Sequence, residues 1–526
     1  MQRDGNGFAW LMLLNVKCCR KPLSAPSISL PTPRIRSPEP ATGFARSWPA
    51  RTPLTAHGPV ARIHAPRRSA MERRSFLGGL AGTPLAAGSA AAQTAKPRRR
   101  PPNVLFILFD KCRRDAFGAY GMKPVHTPNI DALAQDGVRF DTYYAPQGLC
   151  GPCRASIITG MYPNEHGMRK NCHPTHGRGQ NSYHGRNPDP FHDERFHLWD
   201  NFPYVLHNAG YQTAHVGKWH LGPSNPGFFD TWRTFNSQMF HWIGKPHESV
   251  YRPDMQTDRG IEFINANADR PFFLYQSFYP PHPPWDPPRK YYEPYQGRNL
   301  EPKGYYETVT SLDWNVGRLV ETLRKRKILD NTLIIVTTEH GMTLRKYPGT
   351  GVHGYSSPYD EVSRIPLVMH WPDGLPRGMV WNSGVGAVDL APTIMDAAGV
   401  VGRLQGRYMP LEERSLLPDL QAKRDRWRMP LVMMNHCQRL YEGAYFEDRA
   451  IRTERWKLIL RRFKAYSEGS PGSLHDMQAD PEEKNDLYGD PAHQDTVADL
   501  SRQLMAWGER HGDPIAMELA SRALMG

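Results

Sequence analysis

Hydrophobic order begins at Asn103. Val104-Leu-Phe-Ile-Leu-Phe109 is an unbroken apolar run that ends in Asp110. Three later runs share its texture. Tyr211–Val216 leads into Gly217-Lys218-Trp219-His220, Pro271–Phe278 leads to His282, and Thr332–Thr337 ends in Thr338-Glu339-His340. Short apolar runs without alternation are strands buried on both faces, as in a helix-covered parallel sheet. Between them, apolar spacing near 3.6 predicts helices over Asn129–Asp136, Tyr306–Lys327 and Val388–Ala398. The alternation predicts an α/β fold, a large mostly parallel sheet sandwiched by helices. Beyond about residue 405 the texture changes. Ile451–Leu460 predicts a strand, "HDMQADPEEKNDLYGDP" a turn-rich stretch and Thr496–Arg510 an amphipathic helix, together a smaller C-terminal α+β subdomain. The expected divisions are a leader at 1–70, an export signal and linker at 71–100, a catalytic domain at 101–405 and the subdomain at 406–526.

Charge sharpens the N-terminal division. The 526-residue chain has a formal net charge of +14. Residues 1–100 hold 17 Lys and Arg against Asp4, Glu39 and Glu72, which accounts for all of it. The remainder is balanced, so no nucleic-acid partner is expected. Residues 1–70 are rich in Pro and Arg and predict disorder, or an over-extended start upstream of Met71. From Met71, Arg73-Arg74 stands before "SFLGGLAG" and an Ala-rich run, which resembles a twin-arginine export signal. A periplasmic or secreted protein is therefore expected. Phe8–Val16 is too short to span a bilayer and no other run approaches that length.

Polar residues that follow buried strands collect at the carboxyl edge of the sheet, where open α/β sheets bind ligands. Asp110, Glu339 with His340, Lys218 with His220, and His282 should therefore meet in one cleft. The His-rich stretch 171–200 reads as an irregular insertion, a solvated or substrate-facing loop rather than a metal site, because no ligand spacing repeats. Seven scattered cysteines form neither a disulfide framework nor a zinc set, and Cys112 and Cys437 read as core residues.

One stretch supports two readings. "LCGPCRASIITG" contains Cys150-Gly-Pro-Cys153, a thioredoxin-like dithiol. It also places Pro152 in the first turn of a helix, Cys150 at its positive end and Arg154 within reach, a setting for a nucleophile facing an anion.

The second reading carries a resemblance. Cys150-x-Pro152-x-Arg154-Ala-Ser-Ile-Ile-Thr159-Gly160 and Gly210-Tyr-Gln-Thr-Ala-His-Val-Gly-Lys218-Trp219-His220 resemble the two signatures of type I sulfatases, in the alkaline phosphatase superfamily. "PNVLFILFDKCRRDAFGAYG", "PPHPPWDPP", "YDEVSRIPLVMHWP", "AVDLAPTIMDAAGV" and the tail from Ile451 extend the likeness over roughly 101–526. The resemblance implies that Cys150 is converted to formylglycine by a formylglycine-generating enzyme and attacks the sulfur of a sulfate ester. It implies that Asp110, Glu339, His340 and the converted Cys150 hold Ca²⁺, with Mg²⁺ the alternative. Arg154 would orient the nucleophile. Lys218, His220 and His282 would neutralise sulfate, and one of the two histidines would protonate the leaving alcohol. The substrate would be an aryl sulfate, another sulfated small molecule or a sulfated glycan.

Three positions depart from the family pattern. Lys111 stands where a second Asp is usual, Glu339 where the acid is usually Asp, and Tyr355 where a Lys usually precedes the Tyr359-Asp360 pair. Lys111, Arg345 or Lys346 is expected to supply the missing positive charge at the substrate. The departures keep two alternatives open, a phosphonate or phosphate ester hydrolase of the same fold and a non-catalytic relative that binds sulfated glycans.

Overall fold

The first apolar run forms a strand with all seven residues buried, Asn103–Phe109 (β1). The computed structural model to which it belongs describes residues 100–525 except 122–124, 172–200, 223, 238, 299, 303, 344–356, 402–413, 438–444 and 465–469. The leader, the export signal, nearly all of the His-rich insertion, Arg345, Lys346 and Tyr355 lie outside the described residues.

Val138–Phe140 (β2), Gln212–Lys218 (β3), Thr231–Phe235 (β4), Phe272–Ser277 (β5), Thr332–Thr338 (β6), Leu367–His370 (β7) and Met379–Trp381 (β8) join β1 in one eight-stranded sheet. Its order is β8-β2-β7-β6-β1-β5-β3-β4. Every pairing is parallel except those of β7, which runs against both β2 and β6. Successive β1 side chains point to opposite faces. Val104, Phe106 and Leu108 enter one apolar core with Ile394 and Met395 of the helix Leu390–Ala397. Leu105, Ile107 and Phe109 enter another with Val309, Leu312 and Val316 of the helix Tyr305–Lys325. A strand covered on both sides has no polar face, which is why these runs lack alternation.

The expected Asn129–Asp136 helix spans Pro128–Gln135, and a short 3₁₀ turn, Ala387–Asp389, opens the expected Val388–Ala398 helix. Lys218 is the last residue of β3 rather than a residue beyond it.

The C-terminal region holds a four-stranded antiparallel sheet of Leu431–Cys437 (β9), Tyr445–Arg452 (β10), Trp456–Lys464 (β11) and Gly472–Asp476 (β12), in that order. The helices Gln494–His511 and Pro514–Met525 share its core. Here one expectation fails. Ile451–Leu460 is not one strand but the end of β10, a tight turn and the start of β11. The Thr453 amide donates to the Trp456 carbonyl at 2.9 Å and the Trp456 amide to the Thr453 hydroxyl at 3.2 Å, closing the turn without Gly or Pro. No helix among the described residues is long and apolar enough to cross a membrane.

Candidate active site

"CGPCRASIIT" forms the helix Cys150–Thr159 (α1), whose ten residues are all buried. Leu149 is extended before it, and Gly160 closes it in the left-handed conformation (φ 71°). Cys150 opens the helix and Pro152 lies in its first turn, where the missing amide hydrogen matters least. The Gly151 amide donates to Asn171 Oδ1 at 2.7 Å. The positive end of the helix, at Cys150, faces the residues that follow β1 and β6.

There the strands deliver their polar residues. Cys150 Sγ lies 3.7 Å from Asp110 Oδ1, after β1, and 3.2 Å from His340 Nε2, after β6. One ligand atom each from Asp110, Cys150, Glu339 and His340 fall within 4.8 Å of one another. The His340 ring places Nδ1 2.7 Å from the Gly341 carbonyl, so Nδ1 carries the hydrogen and Nε2 offers a lone pair to the cluster. Glu339 Oε1 is buried without a hydrogen-bond partner.

Arg154 binds the parts together. Its Nη1 donates to the Lys218 carbonyl at 2.7 Å and to Ser277 Oγ at 2.8 Å, while Nη2 donates to Glu339 Oε2 at 3.2 Å. One guanidinium thus ties α1 to the ends of β3, β5 and β6. Lys218 forms an ion pair with Asp110 Oδ2, and its ammonium lies 4.9 Å from the centre of the Tyr279 ring. His282 stacks face to face on the Tyr279 ring, with centroids 4.5 Å apart and planes at 23°. Lys111 and His220 are buried and hold left-handed backbone, φ 63° and 62°. Such conformations are rare outside glycine and gather where function imposes them.

The charges are not equivalent. Burial opposes ionisation of Asp110, but Lys218, His282 and Arg154 outweigh it and hold the carboxyl well below its ordinary range. Glu339 goes the other way. Burial pushes it well up, with Asp110 and Cys150 adding to the shift and Arg154 opposing it. Burial lowers Lys111, which also feels Lys218, while Cys150 and Asp110 support its charge. Burial brings His282 down to about 4.

The nine described residues singled out from sequence lie at or beside one carboxyl edge: Asp110, Lys111, Cys150, Arg154, Lys218, His220, His282, Glu339 and His340; Arg345 and Lys346 lie outside the described residues. Three neighbours of these residues were not singled out. Ser277 orients Arg154, Tyr279 carries Lys218 and His282, and His241 meets the Tyr279 ring edge-on at 5.4 Å. Ser277 and Tyr279 flank the end of a recognised strand, which was the available signal. Cys153 takes no part. It is a free thiol inside an apolar core, and burial drives its pKa well up, opposite to what a thiol-exchange cysteine requires.

Comparison with known proteins places this arrangement. The family model described as Sulfatase matches residues 102–400. The chain belongs to the sulfatase family. A second model, described as N-sulphoglucosamine sulphohydrolase, C-terminal, matches residues 351–510 of the sulfatase. It is 27% identical over 519 residues to the N-acetylglucosamine-6-O-sulfatase of Bacteroides thetaiotaomicron, spanning 77% of this chain and 86% of that one. It is 26% identical over 493 residues to the N-sulphoglucosamine sulphohydrolase of Homo sapiens, spanning 79% and 92%. A structure solved in complex with its substrate D-glucosamine-2-N,6-O-disulfate shares the fold of the sulfatase, with a TM-score of 0.61 at 24% identity over 79% of this chain and 99% of that one. As a member of this family the enzyme is a sulfuric ester hydrolase.

Proposed function

We propose that the sulfatase hydrolyses a sulfate ester on a glycan, with a formylglycine made from Cys150 as nucleophile. The observation that carries this reading is the buried Asp110–Cys150–Glu339–His340 cluster at the start of α1, beside Lys111 and Lys218. The carbohydrate class is supported by the relatives named for N-acetylglucosamine and N-sulphoglucosamine sulfates.

The donor set suits a hard divalent cation, Ca²⁺ or Mg²⁺. Asp110 and Glu339 offer carboxylate oxygens and His340 a neutral nitrogen, and Glu339 Oε1, buried without a hydrogen bond, has lone pairs a cation would use. The thiol of Cys150 is the soft exception, and an oxygen at that position would match the set better. The cation supplies positive charge against the sulfate oxygens and the nucleophile. The hydrated aldehyde of formylglycine supplies one hydroxyl to attack sulfur and another whose deprotonation expels sulfate, which a thiol cannot do.

The remaining work falls to side chains already in place. Arg154 fixes the register of position 150 against Glu339 and β5. Lys218, Lys111 and the helix terminus balance the anion. His282 is neutral in the free enzyme. A sulfate beside it raises its proton affinity, so substrate binding loads the acid that protonates the leaving alcohol. His220 is the second candidate for that proton. We further propose export to the periplasm or medium through the twin-arginine-like segment at Arg73-Arg74, and conversion of Cys150 by a formylglycine-generating enzyme.

The decisive experiment is mass spectrometry of the Cys150 peptide from a host that makes formylglycine, paired with sulfate release from N-acetylglucosamine-6-sulfate. An aldehyde at position 150, turnover that Cys150→Ala abolishes and turnover that survives Cys153→Ala are expected. Faster cleavage of a matched phosphate ester would overturn the reading in favour of a phosphoester hydrolase. An unconverted Cys150 without turnover would point to a binding protein.

A further inference from the structure

One strand out from Lys218, the carboxyl edge holds a cation that the proposed chemistry leaves unused. Phe235, the last residue of β4, is in register with Lys218 of β3, and its carbonyl accepts from the Trp219 amide at 2.9 Å. The Phe235 ring meets the Tyr279 ring edge-on at 6.0 Å, and the Lys218 ammonium lies over that same Tyr279 ring. On Phe235 in turn lies the guanidinium of Arg252, with Cζ 5.9 Å from the ring centre. Side-chain contacts therefore run without a gap from Lys218 to Arg252. Arg252 Nε donates to the Phe240 carbonyl at 2.7 Å, which fixes the guanidinium. The Phe240 side chain is 80% exposed, so the surface beside it is open to solvent.

The terminal nitrogens Nη1 and Nη2 have no hydrogen-bond or ion-pair partner among the described residues. The acids close to Arg252 along the chain are engaged elsewhere, Glu248 with Lys245 at 2.7 Å and Asp254 with Asn315 at 2.8 Å. The half-buried guanidinium has given up part of its hydration, and burial lowers its pKa with no carboxylate to offset the shift. Its place in the chain does not favour the charge either. Arg252 is the first residue of the helix Arg252–Asn267, where the macrodipole opposes a cation. The fold around it thus gives this charge nothing in return, and its planar fork of donors matches an oxyanion brought by a ligand. The contacts joining Arg252 to Lys218 pass through two aromatic rings. The anion that fits it is therefore not the sulfate under attack but a second one, carried further along the same molecule.

We propose that Arg252 is a specificity-determining residue that binds a second anionic group of the substrate, a carboxylate or a further sulfate on a neighbouring sugar, so that the enzyme prefers polyanionic glycans. The proposal rests on the glycan sulfatase reading above, and its test separates the two. Wild type, Arg252→Gln and Arg252→Lys are compared on 4-nitrophenyl sulfate and on matched trisaccharides. Each trisaccharide begins with N-acetylglucosamine-6-sulfate, and its other units bear carboxylates, sulfates or neither. Wild type should favour one acidic trisaccharide over the neutral one by about 10-fold or more in kcat/KM, and which one it favours tells carboxylate from sulfate. On that substrate Arg252→Gln should raise KM by about 10-fold with kcat within about twofold, because the second anion is held equally before and during reaction. The neutral trisaccharide and 4-nitrophenyl sulfate should stay within about twofold, and Arg252→Lys, which keeps the charge without the fork, should recover part of the loss. Equal effects on acidic and neutral trisaccharides, a fall in kcat on the aryl ester, or no effect on any substrate would overturn the proposal. Should Arg252→Gln fail to fold, wild type alone decides, since turnover without preference for either acidic trisaccharide refutes the role. A wild type that cleaves no sulfated saccharide overturns the glycan reading itself and this proposal with it.

Discussion

Arg154 is the residue on which the site geometry turns. Its two terminal nitrogens serve three acceptors on three strands, a span that a single ammonium cannot reproduce. Arg154→Lys should therefore retain the fold by circular dichroism yet lose kcat on a sulfate ester by about 100-fold or more. Lys111 poses a different question, because it replaces an acid of the family pattern and lies buried beside the charges of Asp110 and Lys218. If it balances the substrate anion, Lys111→Ala raises KM for a sulfate ester by about 10-fold, and unchanged constants would exclude that role. Away from the site, His166 accepts from the Met168 amide at 3.1 Å and lies 3.0 Å from Ser156 Oγ. Burial brings it down to about 3. A histidine with a lowered folded pKa is neutral in both states above about pH 6.5, and below that the unfolded chain gains the proton first. Its contribution to stability thus falls steadily as pH drops from about 6.5 to 3. Between pH 7 and 5 wild type should lose about 2 kcal/mol more than His166→Gln, read from urea midpoints at the two values.

At the scale of elements, the second signature owes its glycine to packing. A Cβ on Gly217 would stand 1.8 Å from the Ser277 carbonyl oxygen, and φ is 109°. The close approach of β3 and β5 that results puts the Lys218 carbonyl and Ser277 hydroxyl on the same Arg154 nitrogen. Gly217→Ala should destabilise by about 3 kcal/mol or more. Gly210→Ala, also at positive φ (91°) but with nothing within 4 Å of the added methyl, should lose only about 1 kcal/mol in the same denaturant assay. The strands of the main sheet were legible because burial on both faces leaves a continuous apolar run, and the acids and bases beyond them were legible because they follow directly. The β10–β11 turn was not. It carries no Gly or Pro, and side-chain and backbone bonds of Thr453 do the work instead. His241 escaped for another reason. It meets the site through the Tyr279 ring, 38 positions away, and no local pattern marks that contact.

Across the whole molecule, the C-terminal sheet meets the main body through a buried charge cluster. Lys457 Nζ of β11 lies 2.8 Å from Asp360 Oδ1 and 2.7 Å from Glu483 Oε1. The Tyr144 hydroxyl donates to Asp360 Oδ1 at 2.7 Å, and Glu483 Oε2 accepts from the Asp360 amide at 2.6 Å. Asp360 is held at about 2, burial being outweighed by Lys457 and Arg364, whereas burial takes Glu483 up to about 7. Removing the cation strands two carboxyls. Lys457→Met should destabilise by about 3–5 kcal/mol in chemical denaturation, and adding Glu483→Gln should restore part of the loss.

The site also joins distant parts of the polypeptide. Cys150 meets His340 across 190 positions and Arg154 meets Glu339 across 185. A break anywhere between them leaves one piece with the nucleophile and its arginine, and the other with an acid and a histidine. Neither piece alone contains a catalytic centre. Cleavage at the Gly297 turn, an exposed connection between β5 and β6, would therefore make turnover a reporter of fragment complementation, visible only when the two halves reassemble the central sheet.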